Sequence, residues 1–363
     1  MNANLNLRAG EWVEIRSKHE ILSTLDQQGQ FDGLPFMPEM FAFCDLRLRV
    51  YKRAHKTCDT VFPIRSRRMA NAVHLETRCD GQAHGGCQAN CLIFWKEIWL
   101  KRLDDAAKSR AAATFKSGVM PNGIKSTGGC TETNVLATTR EQSKPPVSEP
   151  VYCCQATRLP YATTDLCWWD IRQYLEDYSS RNVGIRRIVS GLVYISYHSL
   201  HYILSKAVGL DKILPWFYDK FRPLWRGTPF PKRKGRIPVG EPTPSRALNL
   251  QPGELVRVRS HEEILQTLNT ESRNRGLLFD PELVPFCGKN YRVLQRVSKI
   301  INEQTGKMQD MKTPCIMLES VFCQSRYSRC RLFCPRSIPP YWREIWLERV
   351  PENARADANQ ASN

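Results

Sequence analysis

The sequence predicts an α+β protein in which two homologous small β-barrel or β-roll domains, each with short helices, are separated by a mainly helical insert. Three observations support this fold class: an internal repeat, alternation of apolar and charged residues in short segments of both copies, and helical apolar patterns between the copies. A chain of 363 residues is long enough to bury more than one hydrophobic core.

The internal repeat aligns without a gap. "LNLRAGEWVEIRSKHEILSTL" at 5–25 matches "LNLQPGELVRVRSHEEILQTL" at 248–268. The same register carries "GLPFMPEMFAFC" at 33–44 onto "GLLFDPELVPFC" at 276–287. About half of the aligned positions are identical, which predicts two copies of one fold.

Each copy predicts the same opening elements. Apolar and charged residues alternate in a first strand, at Val13–Arg16 and again at Val256–Arg259. A short helix follows, and it begins with a capping box, in which a hydroxyl and a carboxylate each bind a free backbone N–H. The capping pairs are Ser17 with Glu20, and Ser260 with Glu263.

The second half of each copy continues this pattern. Pro38 and Pro281 suit the first turn of a second short helix, and Leu46–Val50 alternates as another strand. Copy two then predicts a hairpin around Thr305 and Gly306, where copy one has a basic loop. Each copy is therefore expected to be rich in short strands.

The stretch "GEWVEIRS" at 10–17 resembles the first strand of SH3-like or KOW-like barrels, which implies a small barrel for each copy. The two-copy, cysteine-bearing chain as a whole is similar to uncharacterised bacterial proteins, and that similarity implies no activity.

Composition shifts divide the chain into six segments. We expect helices at 163–180 and 185–209 of the insert, and an aromatic stretch at 213–225. The predicted segments are copy one at 1–103, a linker at 104–160, the helical aromatic insert at 161–227, a basic Pro-rich linker at 228–247, copy two at 248–350 and a disordered tail at 351–363.

One apolar run is a candidate for a membrane-spanning helix. Ile188–Ser205 contains no Asp, Glu, Lys or Arg, and its length reaches the lower limit for a span. Ser, Tyr and His interrupt it throughout, which favours a buried helix or one in contact with a membrane surface over a spanning helix.

The charge balance favours an anionic partner. Lys and Arg number 53 against 36 Asp and Glu, a formal charge of +17, and such a surface suits nucleic acid, another anionic macromolecule or an acidic protein. The candidate binding residues are arginines near one strand and its following loop: Arg47, Arg49, Arg53, Arg65, Arg67 and Arg68. A solvated basic face without a ligand explains them equally well.

The 14 cysteines point to metal chemistry. The N-terminal residues contain no apolar run typical of a signal peptide, so we expect a cytoplasmic, reducing location, where clustered cysteines bind metals more often than they form disulfides. Two triplets have nearly the same spacing: Cys79, Cys87 and Cys91 in copy one, and Cys323, Cys330 and Cys334 in copy two.

Zinc is the expected metal, with about two ions per chain. Cys58 supplies a fourth ligand in copy one, with His74 or His84 as substitutes, and Cys315 supplies it in copy two. An iron–sulfur cluster is less favoured because no Cys-x2-Cys pair occurs. The competing interpretation is that these are buried or free thiols.

The two triplets align in two ways. We align Cys91 with Cys334 and place an insertion, "SIPP", after Cys334. Anchoring on the matching motifs that begin at Trp95 and Trp342 instead aligns Cys87 with Cys334. The roles of Cys130, Cys153, Cys154 and Cys167 stay unassigned.

Two functional hypotheses follow. The first is a metal-stabilised, two-module binding or scaffold protein that engages an anionic partner such as nucleic acid, with closed four-ligand metal sites. The alternative is an accessory biosynthetic metalloenzyme with an open Cys/His site, in which a vacant coordination position holds a reactive water. No phosphate loop or hydrolase elbow motif is present in the sequence.

Overall fold

The computed structural model describes residues 4–61, 63–103, 129–141, 149–208, 213–221 and 228–350. The predicted tail at 351–363 and much of the predicted linker at 104–160 lie outside these residues. The chain divides into two compact units. The first unit comprises 1–190, 299–309 and 328–337, and the second comprises 191–298, 310–327 and 338–363.

Helices and strands are both present, which confirms the mixed α+β class. The strands of the first unit are β1 Trp12–Ile15, β2 Gln30–Phe31, β3 Leu34–Pro35, β4 Arg47–Arg53, β5 Lys56–Asp59, β6 Arg65–Arg68, β7 Ala72–Arg78, β8 Leu92–Lys96, β9 Leu100–Arg102 and β10 Thr164–Leu166. Its helices are α1 Lys18–Leu22, α2 Glu132–Ala137, α3 Gln155–Arg158 and α4 Arg172–Ser179.

Two antiparallel sheets organise the first unit. Five strands pair in the order β8-β7-β4-β1-β9, and three pair in the order β10-β6-β5. Short 3₁₀ helices at Pro38–Phe43, Gln82–His84 and Glu97–Trp99 lie between successive strands of this unit. The hydrophobic core lies against the larger sheet and includes the fully buried Trp95 and Trp99.

The second unit contains a smaller antiparallel sheet. The elements that lie wholly or mostly in this unit are α6 Ile213–Phe221, β11 Leu255–Val258, α7 His261–Leu265, β12 Arg273–Asn274, β13 Leu277–Leu278, the 3₁₀ helix Pro281–Phe286, β14 Asn290–Ile301, β15 Met308–Leu318 and β16 Leu347–Arg349. Residues 299–301 of β14 and 308–309 of β15 belong to the first unit. The strands pair in the order β15-β14-β11-β16, and the core of the second unit includes Trp342 and Trp346. Helix α5, Ile185–Val208, crosses the boundary between the two sets of residues.

The aligned strands of the two copies have equivalent registers. Trp12 lies opposite Arg49 in the β1–β4 pair, and Leu255 lies opposite Arg292 in the β11–β14 pair. In the same way, Ile15 lies opposite Leu100 in the β1–β9 pair, and Val258 lies opposite Leu347 in the β11–β16 pair. Since a slip of one residue would turn every side chain to the other face, the same residues of each copy enter the core.

The helix starts also agree. Ser17 and Glu20 form a complete capping box on α1, and Ser260 and Glu263 form one on α7. Each copy then fixes its core tryptophan through one hydroxyl: Trp99 Nε1 donates to Thr24 at 3.1 Å, and Trp346 Nε1 donates to Thr267 at 3.0 Å. These hydrogen bonds satisfy the indole N–H groups inside the apolar core.

The insert differs from its prediction in one place. The helix expected at 163–180 is replaced by β10 and the shorter α4. Thr164 pairs with Arg68 at the open edge of β6, and Arg67 Nη1 contacts Asp165 at 2.8 Å. These pairings between residues far apart in sequence outweigh the local helical pattern. The predicted long helix is present as α5, and among the described residues no helix is long and apolar enough to cross a membrane.

Candidate metal centre

Residues 79–91, here called the Cys loop, connect β7 to β8. The backbone N–H of Cys79 donates to the Cys91 carbonyl at 2.9 Å and closes the loop at its base. Gly81 has φ +71°, and a Cβ there would lie 2.0 Å from the Cys87 carbonyl oxygen. Only glycine tolerates both this backbone conformation and this close approach, so Gly81 folds the loop onto itself.

A cavity of about 40 Å³ lies beside the Cys loop. Four cysteines line this space, here called the thiol cavity: Cys79, Cys87, Cys91 and Cys154. Three come from the Cys loop, and Cys154 comes from the residues just before α3. The remaining wall is mainly apolar, with Met37, Leu92, Ile93, Phe94 and Ile301 among its members, and it also includes His84 and Arg336.

The sulfurs of the thiol cavity are neither bonded to each other nor tightly clustered. All four are free cysteines. Within the described part of the chain, three metal-ligating atoms approach within 4.8 Å of one another only in the group of Glu39, Cys79 and His84. No three of the four thiols are therefore gathered that closely around a common point.

Glu39, Cys79 and His84 form a compact group at one side of the cavity. Glu39 Oε1 lies 2.8 Å from His84 Nδ1, and His84 Nε2 lies 3.1 Å from the Cys153 carbonyl oxygen. Both ring nitrogens thus face oxygen acceptors, so a metal would have to displace one of these contacts. These two contacts link the Cys loop to Glu39 and to the backbone of Cys153.

Glu39 has a counterpart that explains its role. Its Oε1 accepts from the Ala83 N–H at 3.2 Å, and Glu282 at the aligned position of copy two accepts from the Tyr327 N–H at 2.6 Å. Both carboxylates follow the proline of a 3₁₀ helix and bind the backbone of the loop that carries cysteines. Glu39 is therefore a loop-positioning residue.

Burial dominates the ionisation of three of the four cavity thiols. It raises the pKa of Cys91 to about 12, although the charge of Arg336 acts in the opposite direction. Burial also raises the pKa of Cys154 to about 11 and that of Cys79 far above the usual range, where Glu39 adds to the effect. Without a metal ion these three thiols remain protonated, and a bound metal ion would supply the charge that stabilises their thiolates.

Cys58 does not join the thiol cavity but pairs with Cys334 within the first unit. The Cys58 backbone N–H donates to Cys334 Sγ at 3.2 Å. Burial raises the pKa of Cys334, but hydrogen bonds from the Cys58 side chain and from backbone N–H groups, together with the Arg336 charge, lower it to about 6. The surroundings of Cys334 thus favour its thiolate.

The four cysteines predicted as a metal site in copy two are divided between the two units. Cys330 and Cys334 belong to the first unit, whereas Cys315 and Cys323 belong to the second. Cys315 Sγ accepts from Arg343 Nη1 at 3.4 Å, and Cys323 Sγ lies 3.6 Å from Ser325 Oγ.

The backbone explains how the two loops correspond. Cys323 N–H donates to the Ile338 carbonyl at 2.9 Å, as Cys79 does to Cys91. Ile338 therefore stands where copy one has Cys91. The structure favours the alignment anchored on the tryptophan motifs, in which Cys87 corresponds to Cys334, over the one with an insertion after Cys334.

The unassigned cysteines take different places. Cys154 lines the thiol cavity, while the neighbouring Cys153 accepts a hydrogen bond from Arg158 at 3.2 Å. Cys130 is buried in the core of the first unit, and Cys167 is exposed. Sequence spacing did not single out Cys154, because its approach to the Cys loop depends on the tertiary fold.

Most of the arginines predicted to bind an anion contact carboxylates. Arg47 pairs with Glu14 at 2.9 Å, and Arg53 pairs with Glu97 and Glu176. Arg67 and Arg68 pair with acidic residues of the insert. Arg49 donates to the Gly10 carbonyl, and Arg65 is exposed.

The second unit holds a different group of arginines. A cavity of about 160 Å³ is lined by one carboxylate, Glu344, and by four arginines: Arg246, Arg275, Arg296 and Arg343. Arg296 pairs with Glu344 at 2.8 Å, and buried Arg343 donates to the Arg275 carbonyl at 2.8 Å. Positive charge therefore exceeds negative charge around this space.

Comparisons with protein-family models, with curated proteins and with solved structures find no match to this chain. The thiol cavity and the arginine-lined cavity are thus interpreted from their own residues.

Proposed function

We propose that the chain is a metal-binding protein whose first unit is stabilised by a thiolate-ligated centre in the thiol cavity. The observation that supports this proposal is the convergence of four cysteines on one space with a mainly apolar wall. Thiolates are preferred ligands of zinc and of iron–sulfur clusters. The Cys spacing alone favours zinc at about two ions per chain, whereas the four thiols of the cavity can ligate either zinc or an iron–sulfur cluster.

A metal in this cavity would join parts of the chain that are distant in sequence. Cys79, Cys87 and Cys91 belong to the Cys loop, whereas Cys154 precedes α3. Because such a site cannot be preformed in the unfolded chain, the free energy of metal binding contributes to folding. On this proposal the centre fixes the segment before α3 against the larger sheet of the first unit.

Metal analysis of the purified full chain tests the proposal. We expect stoichiometric metal in the wild type and its loss in Cys91→Ser, with a lower unfolding midpoint. The matched control is Cys167→Ser, because Cys167 is exposed and outside the cavity. A folded, metal-free wild type, or equal metal in both variants, contradicts the proposal.

A binding function fits four cavity thiolates better than catalysis does, because they would fill the coordination of the centre. The metalloenzyme alternative has one favourable observation, the group of Glu39, Cys79 and His84, which offers three ligands and leaves a fourth position open. X-ray absorption at the metal edge separates the two: sulfur-only ligation supports the binding function, and mixed sulfur, nitrogen and oxygen ligation supports the enzyme.

We further propose that the two copies arose by duplication, that the protein works in the reducing cytoplasm, and that copy two contributes the site for an anionic partner. The proposed location rests on the clustering of the 14 cysteines, because clustered cysteines in a reducing compartment bind metals more often than they form disulfides. The arginine-lined cavity is the basis for the partner, since arginine forks suit phosphate oxygens.

We propose that the anionic partner is a nucleic acid. A labelled oligonucleotide should bind at low salt and dissociate steeply as salt rises. The double variant Arg246→Glu with Arg275→Glu should weaken binding, whereas Arg257→Glu, an exposed change outside the cavity, should have a smaller effect. Absence of binding at low salt would exclude nucleic acid and leave an acidic protein as the partner.

A further inference from the structure

We propose that Cys79, Cys87, Cys91 and Cys154 hold a four-iron, cubane-type iron–sulfur cluster, not a single zinc ion. The proposal rests on the metal-binding function above and specifies its cofactor. Three independent features of the thiol cavity support it: the separation of the sulfurs, the space between them, and the groups that face them.

The separation of the sulfurs disfavours one tetrahedral ion. Four thiolates around zinc lie about 2.3 Å from the ion, which brings each pair of sulfurs to about 3.8 Å. In the thiol cavity no three of the four sulfurs come within 4.8 Å of one another, as judged over the described residues. A cubane cluster binds each thiolate to a different corner iron, so its four ligands are spread more widely.

The space between the thiols also suits a larger group. A water molecule needs roughly 10–15 Å³ of such space, and the cavity offers about 40 Å³. The space is partly open, and a cluster bound in it would contact Ile93, Phe94 and Ile301, which line it.

The surrounding polar groups complement a negatively charged cluster. Arg336 lines the cavity, is 3% exposed and is oriented by Glu303 at 2.7 Å. The Ile301 backbone N–H donates to Cys87 Sγ at 3.3 Å. Buried cations and N–H···S hydrogen bonds are the contacts by which proteins stabilise cluster thiolates and adjust their reduction potential.

The missing Cys-x2-Cys pattern does not argue against this geometry. That pattern presents two thiolates from one tight loop. In the Cys loop the cysteines are further apart in sequence, but Gly81, Gly85 and Gly86 all have positive φ and turn the backbone so that the thiols still line one cavity. The fourth cysteine, Cys154, comes from a separate segment.

The test uses the full chain purified under anaerobic conditions. We expect visible charge-transfer absorption, about four irons and four acid-labile sulfides per cluster, and iron–iron scattering in the iron-edge absorption spectrum. Cys154→Ser should lower the content by about four irons per chain. Cys153→Ser is the matched control, because Cys153 is next to Cys154 in sequence but its sulfur contacts Arg158 and does not line the cavity.

The wild-type spectra decide the question even if Cys154→Ser fails to fold. Bound zinc without iron, or iron without sulfide and without iron–iron scattering, overturns the cluster while leaving a metal-binding protein. A wild type that is folded but lacks metal, and that takes up none when iron and sulfide are supplied anaerobically, overturns both the cluster and the proposed function.

Discussion

The backbone N–H of Cys79 donates to the carbonyl of Cys91 at 2.9 Å, and this one bond places two cavity thiols at the base of the Cys loop. The corresponding bond in copy two ends on Ile338, which has no thiol. The two copies therefore share a loop framework but not a complete set of cavity cysteines. We infer that the centre proposed for the first unit has no equivalent built from copy two alone.

The first prediction concerns the turn of the Cys loop. Gly81→Ala should abolish metal binding and destabilise the first unit, because the new Cβ would lie 2.0 Å from the Cys87 carbonyl oxygen at φ +71°. Gly288→Ala is the matched control: its φ is +77°, but its Cβ would meet nothing within 4 Å. Urea unfolding and metal content measure both variants. Equal losses would show that the close approach is unimportant.

The second prediction concerns the loop-positioning carboxylates. Glu39→Gln and Glu282→Gln should each cost about 1–3 kcal/mol, because a charged acceptor of buried N–H groups is replaced by a neutral amide. Only Glu39→Gln should also weaken metal binding, since Glu39 holds the Cys loop through Ala83. Urea unfolding and metal competition assays measure the two effects. Parallel loss of metal in both variants would contradict this division of roles.

The third prediction concerns acid stability. Burial lowers the pKa of His74 to about 3, despite the nearby Ile93 carbonyl, from an unperturbed value of 6.5. The unfolded chain therefore binds a proton that the folded chain does not, and stability is lost as pH falls below 6.5. The expected slope is about 1.4 kcal/mol per pH unit, or about 2 kcal/mol between pH 6.5 and 5.

His74→Phe isolates this contribution. Phenylalanine keeps a ring against Phe94, whose centroid lies 4.4 Å from that of His74, but it cannot titrate. The variant loses the contact with the Ile93 carbonyl, so its stability at neutral pH should fall by about 1 kcal/mol, while its slope between pH 6.5 and 5 becomes shallower. Denaturant unfolding at several pH values gives both slopes, and identical slopes for wild type and His74→Phe would disprove the assignment.

Local signals predicted the fold well wherever a few neighbouring residues determine structure. The two capping boxes, the strands that begin at Trp12 and Leu255, and helix α5 all follow from residues close together in sequence. The strand β10 was not predicted, because its pairing with β6 depends on residues about a hundred positions away. Tertiary contacts there replaced a helix with an edge strand.

The candidate site was only partly predictable for the same reason. Spacing singled out Cys79, Cys87 and Cys91, but Cys154 and Arg336 reach the thiol cavity only through the folded chain. One further signal was present in the sequence. The acidic residue after Pro38 and after Pro281 recurs in both copies, and in each it binds the backbone of the loop that carries cysteines.

Anomalous X-ray diffraction from crystals of the anaerobically purified chain tests the presence of a metal centre in the thiol cavity. Data on either side of the iron and zinc edges identify the element. We predict an iron peak between Cys79, Cys87, Cys91 and Cys154, with sulfurs about 2.3 Å from the metal atoms. Four well-ordered thiols around a cavity with no anomalous peak at either edge would contradict a metal centre at this site.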